Sequence, residues 1–115
     1  MINLDFSFIR GDTFEKVINI TWNKEITEIY FTVKEREKDK EVVLQKKIGN
    51  GITKTKQEDN TSSYIIVINA TDTDDFETDY DYWCDIEVLS NNIKKTVGIG
   101  TLTLTTDITT TADEV

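Results

Sequence analysis

Six carboxylates, Asp72, Asp74, Asp75, Glu77, Asp79 and Asp81, crowd one short stretch of the chain. Clustered oxygens of this kind suit calcium, a hard cation. The spacing does not match an EF-hand loop, because no Gly stands at the sharp turn and no Glu at the bidentate position. An acidic run is ordinarily a solvated loop, so neither a metal nor a cofactor is expected here. The same carboxylates could pair for glycoside hydrolysis. Nothing marks one of them as an acid held in a pocket, and a domain this small leaves little room for a cleft.

Cys84 is the single cysteine. A nucleophilic thiol needs a nearby base, and the chain has no histidine. That absence also removes the commonest general base and the commonest metal ligand. Cys84 falls between Tyr82 and Ile86 on an alternating stretch, where a free cysteine behaves as a small core hydrophobe. No catalytic residues are expected, and the chain reads as a non-enzyme.

Arg10-Gly11-Asp12 has the form of an adhesion tripeptide, but it also has the composition of a bend between two strands. The bend is the expectation. Three Asn-X-Ser/Thr sequons begin at Asn19, Asn60 and Asn69 and are read as chance in a chain rich in Asn and Thr. Recognition falls instead to the aromatics Trp22, Tyr30 and Trp83. By alternation Tyr30 and Trp83 lie opposite the core, where exposed rings make binding anchors or sugar platforms. Ile65 and Val67 join them, because Tyr64 to Ile68 is apolar on both faces. Such a run is either a central covered strand or a strand whose outer face meets a partner.

The elements that must position these residues follow from a chain of 115 residues, enough for one domain. It carries 22 acidic and 13 basic residues, a net charge of -9. That balance argues against nucleic acid and against anionic membrane surfaces as partners. Apolar residues make up 37%, enough for a modest core. No window approaches the roughly 20 apolar residues of a membrane-spanning helix. No secretory leader is read at the N-terminus, and the lone cysteine fits a reducing cytoplasm.

Period-two alternation dominates the chain. Ile2, Leu4, Phe6 and Phe8 share one face of a first strand. Ile18, Ile20 and Trp22, then Ile29, Phe31 and Val33, repeat the pattern. Val42 to Ile48 is a short strand whose Lys46 and Lys47 would blunt a sheet edge. Asn50-Gly51 signals a hairpin with a return strand from Ile52 to Lys56. Tyr80 to Val88 is the clearest strand. Between Val97, Ile99 and Leu102, Leu104 the apolar parity switches, and Gly100 is the expected β-bulge. The acidic stretch is expected to hold one helical turn near residues 71–77, capped by Thr71 or Asp72. Residues 1–105 thus read as an all-β domain, an antiparallel, immunoglobulin-like β-sandwich of about seven or eight strands. Residues 106–115 read as a polar, Thr-rich tail. Tyr82-Trp83-Cys84 echoes the late strand of immunoglobulin domains, where a tyrosine two residues before a cysteine makes a corner hydrogen bond.

The segment Phe8-Ile-Arg10-Gly11-Asp12-Thr13, followed by ITEIYFTVKE from Ile26 to Glu35, resembles the N-terminal domain of phage baseplate upper proteins and related small phage structural proteins. LQKKIGNGI from Leu44 to Ile52, ATDTDDF before the Tyr-rich strand, and TTDIT from Thr105 to Thr109 extend the resemblance over nearly the whole chain. The family usually has a Gly just before the Tyr-rich strand. Here Glu77-Thr78-Asp79 stands instead, so that turn must be built differently. The resemblance implies a non-catalytic virion or prophage sandwich that docks to tail, baseplate or head proteins, and the two-faced apolar run Tyr64 to Ile68 adds the expectation of a homo-oligomer. Its implied location is the virion, or the bacterial host cytoplasm during assembly. Two other classes fit the residues: a carbohydrate- or calcium-binding β-sandwich module using Trp83, Tyr30 or Trp22, and a small acidic inhibitor of a host protein.

Overall fold

A computed structural model describes residues 1–106. Of the tail expected over 106–115, all but Thr106 lies outside the described residues. The described residues are all-β apart from one 3-10 turn, Ala70–Thr73. Its strands are β1 (Ile2–Asn3), β2 (Phe6–Ile9), β3 (Phe14–Thr21), β4 (Glu28–Lys34), β5 (Leu44–Ile48), β6 (Gly51–Glu58), β7 (Thr61–Ile68), β8 (Asp81–Ser90) and β9 (Ile93–Thr105). They join in the order β1-β9-β8-β4-β5-β6-β7-β3, with β2 also pairing β9.

Alternation decides which side chains are buried. Ile29, Phe31 and Val33 of β4 and Cys84, Ile86 and Val88 of β8 point inward, as do Tyr64, Ile66 and Ile68 of β7. Each fully buried aliphatic or aromatic side chain contributes about 1.5–3 kcal/mol. The two ends of the sheet approach each other. Phe8 of β2 stacks on Phe14 of β3 with ring centroids 4.5 Å apart, and Phe14 also meets Phe6 at 5.4 Å. The result is a mixed, nearly closed sheet around one core.

Several expectations are corrected. The sheet is not purely antiparallel: β1 and β2 run parallel to β9, and β5 touches β6 in parallel. The first strand is two strands, which makes nine in all among the described residues. It breaks at Leu4 and Asp5. There the Leu4 N–H still donates to the Ile99 carbonyl at 3.3 Å, while the Asp5 N–H turns to Asn3 Oδ1 at 2.9 Å.

The parity switch in β9 is real, but Gly100 is not the bulge. Ile86 pairs with Gly98 and Glu87 with Thr96, so Val97 is the extra residue. Gly100 faces inward because the chain between β1 and β2 passes over it. A Cβ there would lie 2.5 Å from the Leu4 carbonyl carbon and 2.7 Å from the Asp5 nitrogen.

Asn50-Gly51 makes a turn but not a hairpin. The Lys47 N–H donates to the Asn50 carbonyl at 3.0 Å and the Asn50 N–H to the Lys47 carbonyl at 2.9 Å. The chain rounds a corner and continues in the same direction into β6, pairing only Lys47 with Gly51 and Ile48 with Ile52. Lys46 does not blunt an edge, since β5 is flanked by β4 and β6 and Lys46 is buried. The 3-10 turn is capped by Asn69 rather than Thr71 or Asp72, and Asp72 Oδ2 accepts the Asn69 N–H at 2.7 Å.

Candidate functional site

The residues expected to carry recognition fall in three places. Ile65 and Val67 are on the outer face of β7, half-buried. They lie opposite Val17 and Glu15 of β3, and Val17 is 57% exposed. The run Tyr64 to Ile68 is therefore a central strand, paired on both edges, with an outer face that solvent still reaches. Trp22 is elsewhere, just past the end of β3. It is half-buried against the core, with Lys95 Nζ 6.0 Å from its ring centroid.

Tyr30 and Trp83 share a third place, the outer face of β4, β8 and β9, as alternation requires. On β8 this face carries Asp81, Trp83, Asp85 and Glu87. Trp83 lies opposite Lys34 of β4 and Thr101 of β9; Asp85 lies opposite Thr32 and Ile99; Glu87 lies opposite Tyr30. Ile99 is outward because the Val97 bulge reset the parity of β9. Trp83 is 37% and Ile99 46% exposed, so two large apolar side chains stand side by side in water. Thr32, Lys34, Glu37, Trp83, Cys84, Asp85 and Ile99 line a shallow cleft between them. Its volume is about 70 Å³, room for the head group of one side chain and well below the roughly 300 Å³ of an enclosed small-molecule pocket.

Electrostatics single out Asp85 in this cleft. Burial, with Glu87 adding repulsion, raises its pKa above the ordinary carboxyl value, and Lys34 and Lys94 offset part of that. Among the described residues the Asp85 carboxylate makes neither a hydrogen bond nor an ion pair. Its neighbours on the strand are engaged: Glu87 faces Lys94 at 3.8 Å, and Asp81 accepts the Thr103 hydroxyl at 2.6 Å. Tyr30 donates its hydroxyl to Glu28 at 3.1 Å, a bond that raises the phenol pKa. Ile99 and Asp85 were missed in the sequence. Parity assigned Ile99 to the inner face until the position of the bulge was known, and Asp85 looked like one more acid in an acidic stretch.

The other chemical candidates take structural roles. In Arg10-Gly11-Asp12 the Asp12 N–H closes a turn on the Ile9 carbonyl at 3.1 Å. Arg10 Nη1 donates to the Phe76 carbonyl at 3.1 Å, and the Gly11 N–H to Thr73 Oγ1 at 3.4 Å. The tripeptide thus ties the start of the sheet to the acidic turn. Cys84 is buried and its thiol donates to the Leu4 carbonyl at 3.5 Å. Burial pushes its pKa up to about 12. In the acidic run, Asp72 is committed to Lys46 at 2.7 Å and to the Asn69 N–H. Among the described residues no three Asp, Glu or Cys side chains converge as a metal-ligand set.

No protein-family model matches this chain, and no curated protein matches it.

Proposed function

We propose that this chain is a non-catalytic phage or prophage structural module that assembles with tail, baseplate or head proteins through the outer face of β4, β8 and β9. One observation carries the choice of face: Trp83 and Ile99 stand exposed together beside a carboxylate without a partner among the described residues. Aromatic anchors within a polar rim are the usual centre of a protein contact. The order of short motifs from Arg10-Gly11-Asp12-Thr13 to the Tyr-rich strand supports the phage assignment. Assembly would place the chain in the virion, or in the host cytoplasm beforehand.

The reading includes an immunoglobulin-like sandwich, with a mixed rather than antiparallel sheet. Three features support it. β3, β7 and β6 pair in one group and β4, β8 and β9 in another, the grouping of the two immunoglobulin layers. β5 borders β4 as an added strand. Tyr82 Oη accepts the Glu77 N–H at 2.7 Å, five residues upstream and two residues before Cys84, as in a tyrosine corner.

The test is protein composition. Particles purified from the phage or prophage whose genome encodes the chain are expected to contain it in stoichiometric amount, and Trp83→Ala to deplete it from them. Its absence from purified particles would overturn the proposal.

A further inference from the structure

We infer that the cleft between Trp83, Ile99 and Asp85 receives an arginine side chain from a partner protein. The inference rests on the reading of this face as a protein contact and names the chemistry of the contact. Trp83 and Ile99 form two apolar walls that water covers in the free chain. Asp85 stands at the cleft with a half-buried carboxylate that makes no hydrogen bond among the described residues. A group that enters must be small, flat on one side and cationic.

Guanidinium meets all three conditions. It stacks on an indole face while its fork of N–H donors pairs with a carboxylate, and it sheds water more readily than an ammonium. A lysine could satisfy Asp85 but would gain less from the indole. Lys34 lines the same cleft and does not form an ion pair with Asp85, although it lies opposite the neighbouring Trp83. Glu37 and Glu87 stand against Lys34 and Lys94 around the cleft, so Asp85 leaves the group with one more acid than base and a net preference for a cation. Of the chain's own two arginines, Arg10 donates to the Phe76 carbonyl, and Arg36 is largely exposed and faces Asp39 at 3.2 Å. A second copy would bring its own net charge of -9 to this face, so the occupant is assigned to a different protein.

The test uses the whole chain and no partner. Proton–nitrogen NMR follows the Trp83 indole N–H, assigned by its loss in Trp83→Phe, during titration with N-acetyl-arginine amide. A saturable shift is expected, with N-acetyl-lysine amide binding about tenfold more weakly, and Asp85→Asn weakening the arginine probe roughly tenfold. No saturable shift, an equal response to the lysine probe, or an unchanged affinity in Asp85→Asn would each overturn the inference. Self-association of the free chain that Arg36→Ala abolishes would move the occupant to a second copy and overturn the assignment to a different protein. None of these outcomes touches the particle-composition test, so the cleft and the assembly role fail separately.

Discussion

Lys46 Nζ lies 2.7 Å from Asp72 Oδ2, although the lysine side chain is only 6% exposed and the two residues belong to distant parts of the chain. The pair joins the middle of the sheet to the 3-10 turn that precedes β8. Gly51 makes room for it. With φ at 94° it has the left-handed backbone that glycine adopts cheaply, and a Cβ there would lie 2.4 Å from Lys46 Cδ.

The two halves of this pair should not be equivalent. Asp72→Asn leaves a buried ammonium without its counter-charge, and the loss is expected at about 2–3 kcal/mol. Lys46→Met keeps the apolar stem and leaves a carboxylate that is 20% exposed and still holds the Asn69 N–H, so about 1 kcal/mol or less is expected. Urea unfolding midpoints at constant slope would measure both. Equal losses would show that removing Asp72 does not strand a buried charge at Lys46.

Gly100 should be the least replaceable glycine of β9. Gly100→Ala drives a methyl into the backbone at Leu4 and Asp5, which cannot rotate away, and about 2–4 kcal/mol is expected. Gly98→Ala meets chiefly the side chain of Leu4 at 3.0 Å, which can shift, so a smaller loss is expected. Thermal unfolding of the two variants gives the order directly.

These two glycines also show where sequence reading stops. Alternation located the inner faces of β4 and β8, and so put Tyr30 and Trp83 outside, because the inward positions from Ile29 to Val33 and from Tyr82 to Val88 all carry apolar side chains. In β9 two inward positions are Gly98 and Gly100, which have no side chain to report the parity. The switch was visible, but its place was assigned to Gly100 instead of Val97, and Ile99 was lost from the exposed surface. Lys46 failed for another reason. Residue type says that lysine seeks water, and only the turn at Gly51 and the distant Asp72 explain its burial. The pairing of β1 and β2 with β9 depends on contacts about 95 residues apart in register, which no local pattern encodes.

Asp79 holds φ at 59°, in the turn just before β8. Its N–H donates to the Leu104 carbonyl at 2.7 Å, so the turn is anchored in that conformation. Aspartate tolerates the left-handed region better than most residues, and alanine does not. Asp79→Ala is expected to cost about 1 kcal/mol, with Asp79→Gly close to neutral, as read by denaturant midpoints. Equal effects of the two would mean that the carboxylate, not the backbone, is what the turn needs.

Cys84 should be inert while the chain is folded. Its thiol is buried between Tyr82 and Ile86, and its pKa is pushed from 9.0 up to about 12, so thiolate is scarce at pH 8. Iodoacetamide should modify the native chain only through opening of the structure, and the urea-unfolded chain at the rate of a free thiol. Rapid labelling of the native chain at pH 8 would contradict the burial of this residue.

Asp85 makes a prediction with a sign opposite to that of most native carboxylates. Its folded pKa is raised by burial and by Glu87, while the unfolded chain keeps the ordinary value of 3.8. Between 3.8 and the raised value the native state therefore binds more protons than the unfolded state, and stability falls as pH rises through that window. At pH 7 the charge is a net burden on the fold. Asp85→Asn should raise the urea midpoint at pH 7, by less than about 1 kcal/mol because the group is partly solvated. The gain should fade as pH falls toward 3.8, where both chains carry a neutral group at this position. An Asp85→Asn variant that is less stable at pH 7 would mean that Lys34 or Lys94 compensates the charge within the free chain. In that case the carboxylate would have less need of a cation from outside. A stabilised variant that binds the arginine probe poorly would instead show the fold carrying an uncompensated charge at a position used for contact.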